Sequence, residues 1–246
     1  MENGTSPPTP GWIVQLTGHD FDLSYWERSL KLPFDPWCER ILRDGRFVFA
    51  LRSHTFDDAQ SADEVRERAI PLIEQLNGAL RVLEGAEPLT FQGVGRIDDQ
   101  GGFHVTVFAG TGNIQLRGAM VTATGEVRDA KGNLIPPPPP SPSAAQRWAE
   151  AAEKDDDIAD MLVFAGRADN WFDIYKAIEL AERLSGGQHE LPKLLGDATA
   201  ECKNIRETAN YYRHARTYRP ETLTNLTQAK PLLSFIVRTV LARWVS

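Results

Sequence analysis

The run Pro136-Pro137-Pro138-Pro139-Pro140-Ser141-Pro142-Ser143 divides the 246-residue chain into two unlike regions. Consecutive prolines hold φ near about −65° and favour an extended polyproline II rod, so the run reads as a semi-rigid spacer. It separates an α+β region at 11–135 from an all-helical region at 144–246, with a disordered start expected at 1–10. A ligand for an SH3-like module is the sharper reading of the same prolines.

Downstream of the spacer, apolar residues step by threes and fours. Ser143 caps a helix from Ala144 to about Ala165, with an interruption available at Asp155-Asp156-Asp157, where Asp157 is the expected second cap. Asn170 opens the next, whose stripe is Trp171, Ile174, Tyr175, Ile178 and Ala181 and whose stop is Gly186-Gly187. A third helix is expected from Leu191 to Arg216 on Leu194 or Leu195, Ala198, Cys202, Ile205, Ala209 and Tyr212. The last runs from Thr227 to Trp244 on Leu233, Ile236, Val240 and Trp244, with Pro231 in its first turn. Four amphipathic helices on short connections predict an antiparallel bundle.

Upstream, the periodicity changes. Trp12 to Leu16 alternates as a strand, Leu23 to Leu30 reads as a short helix, and Phe47 to Leu51 reads as a strand buried on both faces. Ser61 with Glu64 forms a capping-box pattern ahead of Val65, Ala69, Leu72, Ile73, Leu76 and Leu80, a long helix closed by Gly85 and kinked or broken at Pro71. Leu89 to Ile97 and Phe103 to Phe108 flank the turn residues 98–102 as a hairpin. Further strands are expected at 113–119 and 121–127, followed by a turn at 129–133. The region is a mostly antiparallel sheet carrying a long helix.

Composition narrows the function. Hydrophobic residues at 41% and charged residues at 25% suit a packed protein, and no apolar run approaches the roughly 18 residues that cross a bilayer. With no signal-peptide pattern, a cytoplasmic location and no membrane partner are expected. Cys38 and Cys202 lie in different regions and read as buried thiols, while the five histidines show no helical pairing, so neither metal nor cofactor is expected. The net charge of −7 excludes a globally basic nucleic-acid binder. It sits almost wholly in residues 1–143, which leaves the helical region near neutral and able to carry a local basic surface.

That surface is 203–219, where Lys203, Arg206, Arg213, Arg216 and Arg219 face the single acid Glu207, with Asn210, Tyr211, Tyr212 and His214 interleaved. Guanidinium forks suit phosphate and tyrosine faces suit unpaired bases. Arg206, Asn210 and Arg213 fall on one flank of a helix, and His214 points away from the stripe of Ile205, Ala209 and Tyr212, so it should be exposed. An exposed imidazole beside guanidinium groups suits RNA cleavage, because the 2′-hydroxyl needs a base and the phosphorane charge needs a cation. The alternative is a solvated face whose arginines pair with acids such as Glu201 and Glu207.

The aromatic segment Trp171 to Glu179 and the later segment Arg206 to His214, ending Asn210-Tyr211-Tyr212-Arg213-His214-Ala215, together resemble the HEPN superfamily of small helical bundles. The resemblance covers about 100 residues. It implies an RNA-directed protein of prokaryotic stress or phage defence, a metal-independent endoribonuclease acting as a homodimer through the bundle. His214 would then be acid or base, Arg206 and Arg213 would hold phosphate, and Asn210 would orient the imidazole. Lys203, Arg216, Arg219 and Tyr211 would extend the contact to RNA. Seven residues separate Arg206 from His214, one more than that family's Arg-x4-6-His pattern. The competing expectation is a non-enzymatic dimerisation or docking module whose N-terminal part binds a protein or ligand.

Smaller motifs read as structure. Gly93-Val94-Gly95 and Gly110-Thr111-Gly112 are turns, the His19, Asp20 and Asp22 group belongs to a turn, and Asp155 to Asp157 with Asp160, like Glu64, Glu67 and Glu74, are caps or solvated faces.

Overall fold

The computed structural model describes residues 9–43, 45–100, 102–107, 139–214 and 220–244. The strands expected at 113–119 and 121–127, the turn at 129–133, Gly110-Thr111-Gly112 and residues 136–138 of the proline run lie outside them. The first region contains β1 (Gly11–Thr17), α1 (Asp20–Ser29), β2 (Trp37–Arg43), β3 (Arg46–Arg52), α2 (Ala62–Glu84), β4 (Thr90–Ile97) and β5 (Phe103–Val107). The second contains α3 (Ala144–Ala152), α4 (Asp156–Gly166), α5 (Trp171–Leu184), α6 (Leu191–Leu195), α7 (Thr199–Arg213) and α8 (Leu226–Leu241). The chain is thus an α+β region followed by a helical one.

The strands form an antiparallel sheet in the order β2-β3-β1-β4-β5. Side chains alternate across it, so Val14, Leu16, Cys38, Phe49, Leu51 and Val94 share the core with α2, while Ile13, Ile41, Ala50 and Ile97 form a second small cluster with Phe103. Burial of β3 holds for Phe49, Ala50 and Leu51, but Phe47 at its start is 65% exposed, opposite Leu42 near the end of the hairpin. Strand β2 was not expected, because Cys38, Ile41 and Leu42 interrupt the apolar alternation with Glu39 and Arg40. The β4–β5 turn is as expected: the Asp98 carboxylate accepts from the Gln100 and Gly102 amides at 2.9 and 2.7 Å.

Helix α2 starts where Ser61 Oγ accepts the Glu64 amide, and Glu64 reaches back to the Gln60 amide at 2.7 Å. It ends on Gly85 at φ 70°, a left-handed cap that suits glycine. Pro71 does not divide it, since the proline and the residue four before it, whose carbonyl loses its partner, both lie on the exposed side of the helix.

The proline run separates the two regions in sequence, yet one hydrophobic cluster runs from Val14, Leu51 and Val94 through Leu76 and Leu80 to Trp148, Met161, Leu162, Ile174 and Val237. α2 lies between sheet and helices, and its crossing with α4 is glycine-made. A Cβ on Gly78 would stand 1.8 Å from the Leu162 carbonyl oxygen, and one on Gly166 would stand 2.9 Å from the Gly78 nitrogen. A second tie is Gln146, 2% exposed, whose amide group donates to the carbonyls of Lys31, Phe34 and Pro36 at 3.0, 3.0 and 2.9 Å. Its Oε1 meanwhile accepts the Ser143 amide at 3.0 Å, completing the capping box of α3.

Two expected helices are shorter than periodicity implied. The Leu191 to Arg216 segment breaks at Gly196, where φ is 56° and no α-helix can continue, so α6 and α7 flank a 3-10 turn. α8 starts one residue before Thr227, with Asn225 and Gln228 forming a capping box, but ends at Leu241, three residues short of Trp244. At the interruption after α3, Asp155 rather than Asp157 is the cap, because its carboxylate reaches the amides of Asp157 and Ile158. Asp157 instead pairs with Arg183 at 3.1 Å.

Candidate functional site at the end of helix α7

Cys202, Ile205, Thr208 and Ala209 turn into the core and fix the rotation of α7 against α5 and α8. The polar flank left over carries the residues singled out from sequence, and they do not behave alike. Arg206 leans across to α5, its Nε 2.8 Å from Glu182 Oε1, and the Glu182 side chain is only 13% exposed. Burial pushes the Glu182 carboxyl above its usual range, the Arg206 charge pulls it back, and Glu179 opposes that pull. Lys203 lies 3.7 Å from Glu207 one turn on.

At the C-terminal end of the helix the partners are rings. The Arg213 guanidinium carbon sits 4.2 Å from the centre of Tyr175, while Tyr212 lies nearly parallel to Trp171, 5.5 Å away at 7°. Tyr211 meets Tyr212 edge-on at 5.2 Å. Trp171 and Tyr175 are four apart on α5, so two α5 rings face two α7 side chains across one seam. Glu179 lies near Arg213 as well, but a 2.7 Å hydrogen bond from Lys176 is the main reason its carboxyl stays below the usual range.

His214 occupies the cap position of α7, its backbone amide donating to the Asn210 carbonyl at 3.0 Å. It is exposed, as the helical phase implied, and so are Asn210 and Arg213. Arg213, His214, Asn210, Tyr211 and Tyr212 therefore share the last turn of the helix. Arg206 does not join them, because eight residues of helix place it about 12 Å back along the axis. Arg216 and Arg219 lie outside the described residues. The Trp171–Tyr175 half of the seam was legible only as an apolar stripe, and Glu182 carried no signal until α5 and α7 were seen side by side.

The remaining motifs resolve into structure. His19 caps α1, its Nδ1 accepting the Phe21 amide at 3.2 Å, and buried Asp22 accepts the Glu87 amide at 2.9 Å. Gly93-Val94-Gly95 is not the turn expected but part of β4, both glycines paired in the ladder with β1 and β5, and Glu74 pairs with Arg167. Both thiols are buried and pushed up by desolvation, Cys202 to about 11, which makes them inert at neutral pH. Among the described residues no group of three or more His, Cys, Asp or Glu side chains could hold a metal ion, and no helix is long and apolar enough to cross a membrane. Set against protein-family models, characterised proteins and solved structures, this chain matches none of them.

Proposed function

We propose that the last turn of α7, seated on the rings of α5, is the single-stranded RNA-binding face of a HEPN-like helical domain, and that it cleaves RNA without a metal in a homodimer. The observation that carries this reading is the exposed Arg213 seated on the Tyr175 ring, in a seam with Trp171, Tyr212 and Tyr211, and followed in the chain by the exposed His214. Stacking on such rings is tolerant of base identity, and a neighbouring guanidinium grips the adjacent phosphate.

In the proposed step His214 takes the proton of a 2′-hydroxyl, the 2′-oxygen attacks phosphorus, and the 5′-oxygen leaves with a proton from the protonated His214 of the second copy. Arg213 holds the non-bridging oxygens as charge builds on them. Asn210, one turn before the histidine, positions the strand, and Lys203, Arg216 and Arg219 add phosphate contacts. Such a protein would work in the cytoplasm, with the sheet region as its sensor or regulator.

The test is incubation of the purified protein with unstructured RNA in EDTA, beside His214→Ala and Arg213→Ala. Cleavage by the wild type, lost in both variants while their melting curves stay put, is the expected result. Intact RNA at high protein concentration would refute cleavage. A docking module is the second reading, favoured by the Arg206–Glu182 and Lys203–Glu207 pairs, which already neutralise two of the five cations. Its signature is a stable dimer or partner complex that ignores RNA.

A further inference from the structure

On α8, Lys230, Ser234 and Arg238 are spaced four and four, which lines a hydroxyl between two cations along one edge of the helix. That edge faces the C-terminal end of α2 across an open cleft of about 490 Å³, with Arg81, Val82, Gly85 and Glu87 on the opposite side. Pro231 and Phe235, again four apart, form an apolar wall beside the polar line, and Phe235 is 43% exposed.

The three cations are fixed in place but not all neutralised. Arg81 donates to the Gly166 carbonyl at 2.8 Å and to both Asp169 oxygens, and Lys230 shares the same carboxylate. Arg238 spends Nε and Nη2 on the uncharged carbonyls of Val82 and Leu83. Counting Arg81, Lys230 and Arg238 against Asp169 and Glu87 leaves the cleft one positive charge in excess, within a chain of net −7. There is also room, because a Cβ built on Gly85 would meet nothing within 4 Å.

We propose that this cleft binds a small phosphate monoester, its phosphate on the Lys230–Ser234–Arg238 line and its organic part against Phe235 and Pro231. Phosphate is the anion that uses the whole line: Ser234 stands one turn, about 6 Å, from each cation, within reach of both long side chains, so two cations and a hydroxyl can close on three terminal oxygens, and Lys230 retains donors beyond its bond to Asp169. A flat organic group gains from the exposed Phe235 face. Because the cleft joins α2 to α8, an occupant ties the sheet-bearing helix to the helical region and stabilises the fold by linkage.

The experiment is thermal unfolding of the full chain with AMP as probe, adenosine as the uncharged control, and ionic strength held constant with sodium chloride. At about a hundred times Kd the melting temperature rises by roughly 5–10 °C with AMP. Adenosine gives no rise. Ser234→Asp, which sets a carboxylate between the two cations, and Lys230→Ala both abolish the AMP shift, while Arg213→Ala at the α7 face retains it. The proposal is overturned if AMP gives no shift, if adenosine matches it, or if the shift survives in both cleft variants. It is equally overturned if Arg213→Ala alone removes the shift, which would place AMP on the α7 face.

Discussion

The α2–α4 crossing and the α5–α7 seam are both helix pairs of one molecule, built on opposite terms. At the first, Gly78 and Gly166 remove side chains so that backbones touch among buried apolar residues, and charge is confined to the edge, where Arg81 reaches the Gly166 carbonyl and Glu74 pairs with Arg167. At the second, Trp171, Tyr175, Tyr212, Arg213, Arg206 and Glu182 fill the space with rings and charges, several of them open to solvent. Backbone contact gives close packing with no chemistry to spare. A ring-and-charge seam packs less closely and leaves groups that a ligand can use, so stability and function should separate between the two.

The largest effect is expected where no atom can give way. Gly78→Ala drives a methyl into the Leu162 carbonyl, and overpacking against backbone should cost about 3 kcal/mol or more, a fall of roughly 6–12 °C in melting temperature. Next comes Gln146→Ala, which strips the shared donor from three carbonyls of the 31–36 loop. Its chemical-denaturation midpoint should show a loss of about 2 kcal/mol.

Removing the half-buried partner in Arg206→Ala should cost about 1–2 kcal/mol, most visibly near neutral pH. The sign follows from Glu182. Its folded carboxyl already sits above the usual value, so it binds a proton more readily folded than unfolded, and its contribution to stability declines as pH rises through that interval. Without Arg206 the interval extends upward, and a melting series from pH 4 to pH 8 should show the variant's deficit growing with pH.

Asp169 works in the opposite sense. The hydrogen bond from Arg81, aided by Lys230, holds its carboxyl far below 3.8, so it contributes stability above that value and loses it as pH falls below. Asp169→Asn should therefore flatten the acid limb of the wild-type stability curve. Its effect is small, because this carboxylate is well exposed.

Much of the fold could be read from local rules. Ser61, Ser143 and Asn170 were legible as caps, Gly85 as a stop and the 98–102 turn as a hairpin, because each depends on a residue's own backbone and near neighbours. Strand β2 was missed because Glu39 and Arg40 are accommodated by Arg52 and Glu27, partners distant in sequence. The break at Gly196 hid behind an unbroken apolar stripe, since periodicity records which face is buried and is silent on φ.

The candidate site divides the same way. His214 was placed correctly on the exposed side by helical phase alone. The partners of the two arginines were not legible, because α5 is separated from α7 by the α6 turn and only packing decides that Arg206 meets Glu182 while Arg213 meets Tyr175.

Those two arginines, on one helix, offer the most direct measurement. Binding of fluorescent oligouridine, followed by anisotropy at a temperature where every variant is folded, should weaken about tenfold in Arg213→Ala, whose melting curve is unchanged. Arg206→Ala should bind as the wild type does and melt several degrees lower. Loss of binding in Arg206→Ala with full binding in Arg213→Ala, or no binding by the wild type, would contradict the account.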